Sequence, residues 1–352
     1  MKALIIGGGL SGICLAHQFI DKHIDFKIID DNQNYSTKIA GGMINPMTFR
    51  RMIKTWRGDE LIPVLKEVYT SIEKRIGEKF FFPINIRRAF STEHERLLWE
   101  GCTDDEAYNA YVNPIEKPEN TPAYYHNPFG NAIVNSPGYI EAEIFMDANH
   151  RYFMAHHLLS YEKVNYADID AENLSYKGEK YTHIIFAEGA RAEKNPFFNY
   201  LPFKNAKGEI LTIGPNIFRK DEILNRKCFL LPTQTENYRL GSTYTWGTSD
   251  PSITQEAKDE ILENYKDLCT VPITVIDHKA GIRPVASDRR PFIGEHPTKK
   301  GLYIFNAMGA KGFMIAPYFS IHFVKYLLGE TQLDKEVNIF RYSENYFTQN
   351  AE

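Results

Sequence analysis

The chain has 352 residues, with 24% charged and 43% hydrophobic, a composition that fits a folded protein of roughly two domains and argues against disorder. Its 41 Lys and Arg against 45 Asp and Glu leave a formal charge of −4, the wrong sign for a protein whose default partner is nucleic-acid phosphate or anionic lipid. The four cysteines, Cys14, Cys102, Cys228 and Cys269, have neither metal-ligand spacing nor a disulfide pattern, which predicts a reducing, cytoplasmic setting and no metal site. No apolar run approaches the ~20 residues of a membrane span. The apolar opening, Ala3 to Leu15, lacks a cleavage pattern and is read as part of the mature fold.

Lys2 to Ile6 reads as a buried parallel strand, Ser11 to Lys22 as a helix and Asp25 to Asp30 as a second strand, which together make one βαβ unit. A helical pattern follows over Thr48 to Gly77, then a Phe- and Pro-rich strand region over Lys79 to Phe90. Prolines break residues 112–138 into loops and short strands. A helix is predicted from Tyr139 to about Leu159, and strands over Lys163 to Ile169 and Tyr181 to Ala187, with a turn at Tyr176 to Glu179 between them. Strand-like runs recur at Glu209 to Ile213, Cys228 to Leu231 and Tyr238 to Gly241. A polar helix covers Thr254 to Leu268, and the chain closes with strand Leu302 to Phe305, a glycine loop and an apolar helix over Gly312 to Leu328. This order predicts an α/β fold with an α+β insertion, in which one discontinuous Rossmann-like domain (1–47, 138–200 and 278–352) carries an inserted β-rich domain (48–137 and 201–277). Interleaved domains of this kind leave no half of the chain able to fold alone.

Gly7-Gly-Gly9-Leu-Ser-Gly12 satisfies the G-x-G-x-x-G pattern, and it follows a strand, opens a helix and is followed by Asp30 about 20 residues on. Gly7 permits the tight turn, Gly9 the approach of a pyrophosphate and Gly12 close packing of helix on strand. The helix N-terminus offers unpaired N–H groups to phosphate. An acid at Asp30 accepts from ribose hydroxyls and repels a 2′-phosphate. The loop alone does not separate FAD from NAD.

Four further segments bear on that choice. Ser36-Thr-Lys-Ile-Ala-Gly-Gly-Met-Ile-Asn-Pro46 follows the second strand, and Thr182-His-Ile-Ile-Phe-Ala187 runs into Glu188-Gly-Ala190. Near the end stand Gly281-Ile-Arg-Pro-Val-Ala-Ser-Asp-Arg-Arg-Pro-Phe-Ile-Gly294 and Gly301-Leu-Tyr-Ile-Phe-Asn-Ala-Met-Gly-Ala-Lys-Gly-Phe-Met-Ile-Ala-Pro317. Together with Lys207 to Leu211 these resemble the D-amino-acid oxidase/glycine oxidase family of FAD enzymes. The last segments most resemble the oxidase half of the bifunctional enzyme that modifies the tRNA wobble uridine.

The resemblance implies non-covalent FAD, with Gly7, Gly9, Leu10, Ser11, Gly12, Asp30 and Asp31 at its AMP half and Ser36 and Thr37 near the pyrophosphate. Gly41, Gly42 and Met43 would lie near the flavin ring, and Tyr166 or Ala167 at the adenine. Ala187 and Gly189 would close over the ribityl region, and Met308, Gly309, Ala310, Lys311, Gly312 and Phe313 would sit at flavin N1 and O2. It also implies that Arg283 pairs with a substrate carboxylate. The family's tyrosine before a proline is missing from Phe229-Leu-Leu-Pro232, where Tyr244 is the substitute on offer. Lys311 stands where the family's loop carries Arg, and is expected either at the flavin or substrate or on the surface. Arg239 falls near the position of an oxygen-activating lysine.

The implied activity is oxidation of a C–N bond of an amine or amino acid by hydride transfer to flavin N5, with electrons passing to oxygen or another acceptor. The alternatives are oxidative removal of a carboxymethyl group from modified tRNA uridine, and flavin binding without amine turnover. Expected partners are a small amine or amino-acid substrate, with neither nucleic acid nor membrane favoured. Arg50, Lys54 and Arg57, at i, i+4 and i+7, predict a basic helix face that either captures an anionic substrate or is simply solvated.

Overall fold

The computed structural model describes residues 1–33, 36–214 and 218–349. A six-stranded sheet runs in the order Leu159–Tyr161, Asp25–Asp30, Lys2–Ile6, His183–Phe186, Leu302–Asn306 and Phe292–Glu295, parallel throughout except for the last strand. Side chains alternate across it. Ala3, Ile5, Ile28 and Ile185 enter the core beneath helices Leu10–Asp21 and Gly312–Leu327, whereas Leu4, Ile6, Ile29, Ile184 and Phe186 enter a second core with Phe198 and Ile304. The strand order reverses on either side of Lys2–Ile6, so the carboxyl ends of that strand and of His183–Phe186 flank the crevice where such sheets bind ligands.

A nine-stranded sheet is organised around Ala206–Gly214. This strand pairs along its length with Thr274–Arg283 on one side, and with Thr245–Trp246 and then Tyr238–Gly241 on the other. The sheet continues through Phe229–Pro232, Glu222–Asn225, Asn85–Ala89 and Asn131–Val134 to Val112–Ile115. The expected division at 277/278 falls inside strand Thr274–Arg283. A small sheet of Met43–Ile44, Gly138–Ile140 and Phe81–Phe82 fixes the loop after the βαβ unit.

Three sequence expectations change for local reasons. The helix expected from Thr48 begins at Gly58 and runs to Ile76, because Met52 and Arg57 take left-handed backbone conformations and Met47–Thr48 pairs with Ile53–Lys54. Arg50, Lys54 and Arg57 therefore share no helix face. Lys54 is paired with Asp59, and Arg57 with Glu60 and Asp334. The strand expected at Lys163–Ile169 lies earlier, at Leu159–Tyr161. Residues Tyr166–Asp168 form a 3-10 turn instead, with the Asn165 side chain accepting from the Ala167 amide. The helix predicted from Tyr139 is shorter, Ala142–Ala155, with a strand on either side.

The close approach of the first helix to the sheet is set by glycine. A Cβ on Gly12 would stand 1.9 Å from the Gly7 carbonyl oxygen, and one on Gly7 would stand 2.4 Å from the Ala187 carbonyl oxygen. Gly12→Ala must push helix Leu10–Asp21 off the sheet. We expect a loss of about 2–3 kcal/mol, read as a lower urea midpoint at unchanged m-value.

Candidate functional site

The glycine loop turns at Gly7, whose φ of +112° suits glycine alone. Gly8 is held at both of its polar groups. Its amide donates to Asp30 Oδ2 at 2.6 Å, and its carbonyl accepts from His150 Nε2 at 2.7 Å, with His150 Nδ1 facing the Tyr161 hydroxyl at 2.9 Å. Asp30 Oδ1 also takes the Asn32 amide at 2.7 Å. Asp30 is thus buried against the loop it positions, as well as standing on the wall of the cleft. Around Gly9 there is room, the nearest group being the Thr37 hydroxyl, which accepts from the Leu10 amide at 3.2 Å. Helix Leu10–Asp21 starts here with no side-chain cap and no acid in its first turn, so its N–H groups present positive potential to the cleft.

The cleft encloses about 500 Å³. Of the residues singled out from sequence, Gly7, Gly9, Leu10, Ser11, Asp30, Asp31, Ser36, Thr37, Tyr166, Ala187, Gly189, Gly309, Ala310, Gly312, Phe313 and Arg283 all line it. Gly12 does not, because it packs against the sheet. Asp31 is ion-paired with Arg191, and the Tyr166 hydroxyl donates to Glu188, which also accepts from Asn195 at 2.7 Å. Burial pushes the Glu188 carboxyl above its usual range despite these donors. Among these, His150, Asn195 and Arg191 were not legible as site residues, since each lies outside every motif and is brought in by the fold, whereas Glu188 stands within the Thr182 to Ala190 segment that the sequence singles out.

An adjoining chamber of about 260 Å³ is lined by Gly41, Gly42, Met43, Tyr244, Lys311 and Arg283, and it shares Ser36, Ala40, Gly281, Ala310 and Phe313 with the cleft. Phe229 seats on Gly41, where a Cβ would stand 2.6 Å from the ring. The Arg283 guanidinium lies over Gly208, where a Cβ would meet Nη2 at 2.0 Å, and under the Tyr244 ring at 4.7 Å. It donates to the carbonyls of Lys207 and Thr243 at 3.2 to 3.3 Å and to Ser242 Oγ at 3.0 Å. Among the described residues no carboxylate lies within ion-pair distance of it, so a desolvated cation faces the chamber with neutral partners only. Tyr244 remains 41% exposed, and burial of its hydroxyl raises its pKa.

Lys311 is not on the surface. Its Nζ donates to the carbonyls of Asn45 and Met47 at 3.1 and 3.0 Å and to the Thr55 hydroxyl, tying the Gly41–Met47 loop to the start of helix Gly312–Leu327. Burial draws its pKa down to about 7. That helix, like the first, opens without a side-chain cap and without an acid in its first turn. Arg239 is ion-paired with Glu141 at 3.1 Å and lines neither cavity. Two uncapped helix N-termini, a glycine turn open at Gly9 and a flat-walled chamber fit a dinucleotide with a pyrophosphate at one helix and an electron-rich ring at the other. Among the described residues no group of His, Cys, Asp and Glu could hold a metal, and no helix is long and apolar enough to cross a membrane.

The chain is 23% identical over 321 residues to the tRNA 5-methylaminomethyl-2-thiouridine biosynthesis bifunctional protein MnmC of Legionella pneumophila (strain Corby), covering 84% of this chain and 46% of that protein. It therefore spans about half the length of that bifunctional relative. It is 22% identical to the glycine oxidase of Bacillus subtilis (strain 168), covering 96% of this chain and 94% of the oxidase. The solved glycine oxidase of Geobacillus kaustophilus superposes with a TM-score of 0.79 at 17% identity, covering 97% of this chain and 98% of the other. The iminodiacetate oxidase of Chelativorans sp. BNC1 does so with a TM-score of 0.80 at 19% identity and the same coverage, and both share the fold described above. The model of the DAO family, FAD dependent oxidoreductase, matches residues 2–324, and the chain belongs to that family.

Proposed function

We propose that the protein binds FAD non-covalently and oxidises a C–N bond of a small amine or amino acid that carries a carboxylate. The observation that carries this reading is Arg283, a half-buried cation with no acidic partner among the described residues, on the wall shared by cleft and chamber. Under this reading the segments around the six-stranded sheet hold the cofactor, and the nine-stranded sheet supplies the substrate floor through Gly208, Tyr244 and Arg283. FAD, when bound, supplies the two-electron acceptor that takes hydride from the carbon beside nitrogen.

The chain's own contribution is binding and exclusion of water. The planar Arg283 fork, held flat between Gly208 and Tyr244, offers parallel N–H groups to a carboxylate, whose charge replaces the weaker carbonyl contacts. The N-terminus of helix Gly312–Leu327, uncapped and without a first-turn acid, would favour negative charge on a flavin ring held near it. Lys311 holds the Gly41–Met47 loop in place from outside that contact. Electrons pass onward to oxygen or another acceptor. A small-molecule substrate is favoured over nucleic acid, because Lys54 and Arg57 are consumed in ion pairs instead of forming a basic face. The four free, buried cysteines support a reducing, cytoplasmic setting.

The decisive experiment is anaerobic mixing of the FAD-loaded protein with carboxylated amines. Bleaching of the flavin band is expected, and Arg283→Ala should lower kcat/KM by about 100-fold, chiefly through KM. If no amine bleaches the flavin, the reading fails. For the loop clamp, His150→Leu should weaken FAD binding by about tenfold in fluorescence titration of the apoprotein, whereas His150→Gln, which keeps a donor for the Gly8 carbonyl, should recover most of the loss. For Lys311, the ammonium present below pH about 7 makes all three bonds to the loop, and deprotonation above it gives up one of them. The expected result is a kcat that falls as pH rises through about 7, and a Lys311→Met variant with no inflection there.

A further inference from the structure

The register of the nine-stranded sheet sets a row of side chains leading out of the chamber. Ala206 stands opposite Arg283 on one neighbouring strand and opposite Trp246 on the other, so the three share one face. Gly208, the next residue on that face, carries the Arg283 guanidinium, and Tyr244, two residues before Trp246, covers it. The two aromatic rings meet edge to face at 4.7 Å and remain 41% and 39% exposed. Beyond them stand two cations. Lys204 Nζ lies 5.2 Å and the Arg289 guanidinium 5.8 Å from the Trp246 ring centre, and Arg289 is close enough to Tyr244 to oppose the rise of its pKa. Among the described residues neither Lys204 nor Arg289 has a carboxylate within ion-pair distance, in a chain whose surface cations are widely paired. At ~3.3 Å per residue, the four residues from Gly208 to Lys204 span about 13 Å.

We infer that this row is a substrate track, and that the preferred substrate is an elongated amine with one carboxylate at Arg283 and a second anionic group at its far end, received by Lys204 and Arg289. The inference rests on the amine-oxidising reading of the site. The aromatic pair supplies apolar walls for the connecting segment, and the two cations attract either a carboxylate or a phosphate by charge, the doubly charged phosphate more strongly. Arg289 adds a planar fork that either anion can engage. A substrate as short as glycine would leave the whole row in water, where its exposed aromatic surface would serve no purpose.

The test compares N-alkylglycines with N-(ω-carboxyalkyl)glycines and N-(ω-phosphonoalkyl)glycines of matched length, from one to ten linking carbons, on the FAD-loaded protein. Wild type is expected to prefer the dianionic member by about tenfold in kcat/KM at the length that reaches the cations, and the preference should shrink in 0.5 M salt. Lys204→Ala/Arg289→Ala should abolish it, leaving oxidation of N-methylglycine within twofold of wild type. Whichever terminal anion gives the larger preference identifies the charged group the track takes. The track is overturned if N-methylglycine is oxidised but no dianionic compound gains at any length, or if the double variant loses both substrates equally. Failure of every compound to bleach or perturb the flavin overturns the amine reading and the track with it.

Discussion

Everything in this molecule is referred to one crowded point, where the first strand hands the chain to the first helix. Three backbones meet there without side chains between them: Gly7 against the Ala187 carbonyl, and Gly12 against the Gly7 carbonyl. This proximity sets the helix N-terminus directly over the carboxyl ends of two adjacent parallel strands. It also leaves Gly9 as the part of the loop with open space in front of it. The remaining constraint on the turn comes from outside, since Asp30 takes the Gly8 amide and His150 its carbonyl. A turn with both backbone polar groups of one residue committed has little freedom to reorient, and its neighbouring amides are therefore aimed before any ligand arrives. Preorganisation of this kind lowers the ordering cost of binding.

The second organising element is strand Ala206–Gly214. It pairs on both edges: Thr274–Arg283 delivers Arg283 from one, while Thr245–Trp246 and Tyr238–Gly241 occupy the other. Gly208 is required because the guanidinium lies where its Cβ would be. A side chain there would lift Arg283 toward Tyr244 and close the chamber. The strand that brings Arg283 belongs by hydrogen bonding to this sheet, although the residues just after it return to the cofactor side, where the Gly309 amide donates to the Pro284 carbonyl at 2.9 Å. Arg283 thus sits at the seam between the two sheets, which is the position a residue needs if it is to reach a substrate held against a cofactor.

Much of this was readable in the sequence wherever a single segment carries both the pattern and its meaning. The strand Lys2–Ile6, the helix after it, Asp25–Asp30 and the glycine loop form such a segment, because burial on both faces requires continuous apolar residues and the turn requires glycine. The closing strand and helix are legible for the same reason. Legibility ends where structure is decided by distant partners. Arg50, Lys54 and Arg57 have helical spacing, but Met47–Thr48 captures Ile53–Lys54 as a strand partner and the helix starts at Gly58. Tyr166–Asp168 has strand-like composition, yet the Asn165 side chain stabilises a turn there. His150 carries no local signal at all; it stands in the middle of a helix and becomes meaningful only when that helix packs beneath residue 8. The helix Glu93–Thr103, whose start is capped by the Thr92 hydroxyl accepting from the Glu95 amide, was not anticipated from the sequence.

A net charge of −4 says little about the field inside the site. Arg283 and Lys311 are both half-buried and both lack an acidic partner among the described residues, each being held by carbonyl and hydroxyl oxygens instead. Two helix N-termini without caps or first-turn acids add to the same side. The acids that do lie near the cleft are neutralised locally, Asp30 by backbone amides, Asp31 by Arg191, and Glu188 by donors from Tyr166 and Asn195. The interior is therefore electropositive inside an acidic protein, and the uncompensated desolvation of two cations costs stability in the unliganded chain. Such a cost persists only where an anion completes the balance. Under the proposed reading, a pyrophosphate and an electron-rich ring at the helix ends and a substrate carboxylate at Arg283 would be those anions.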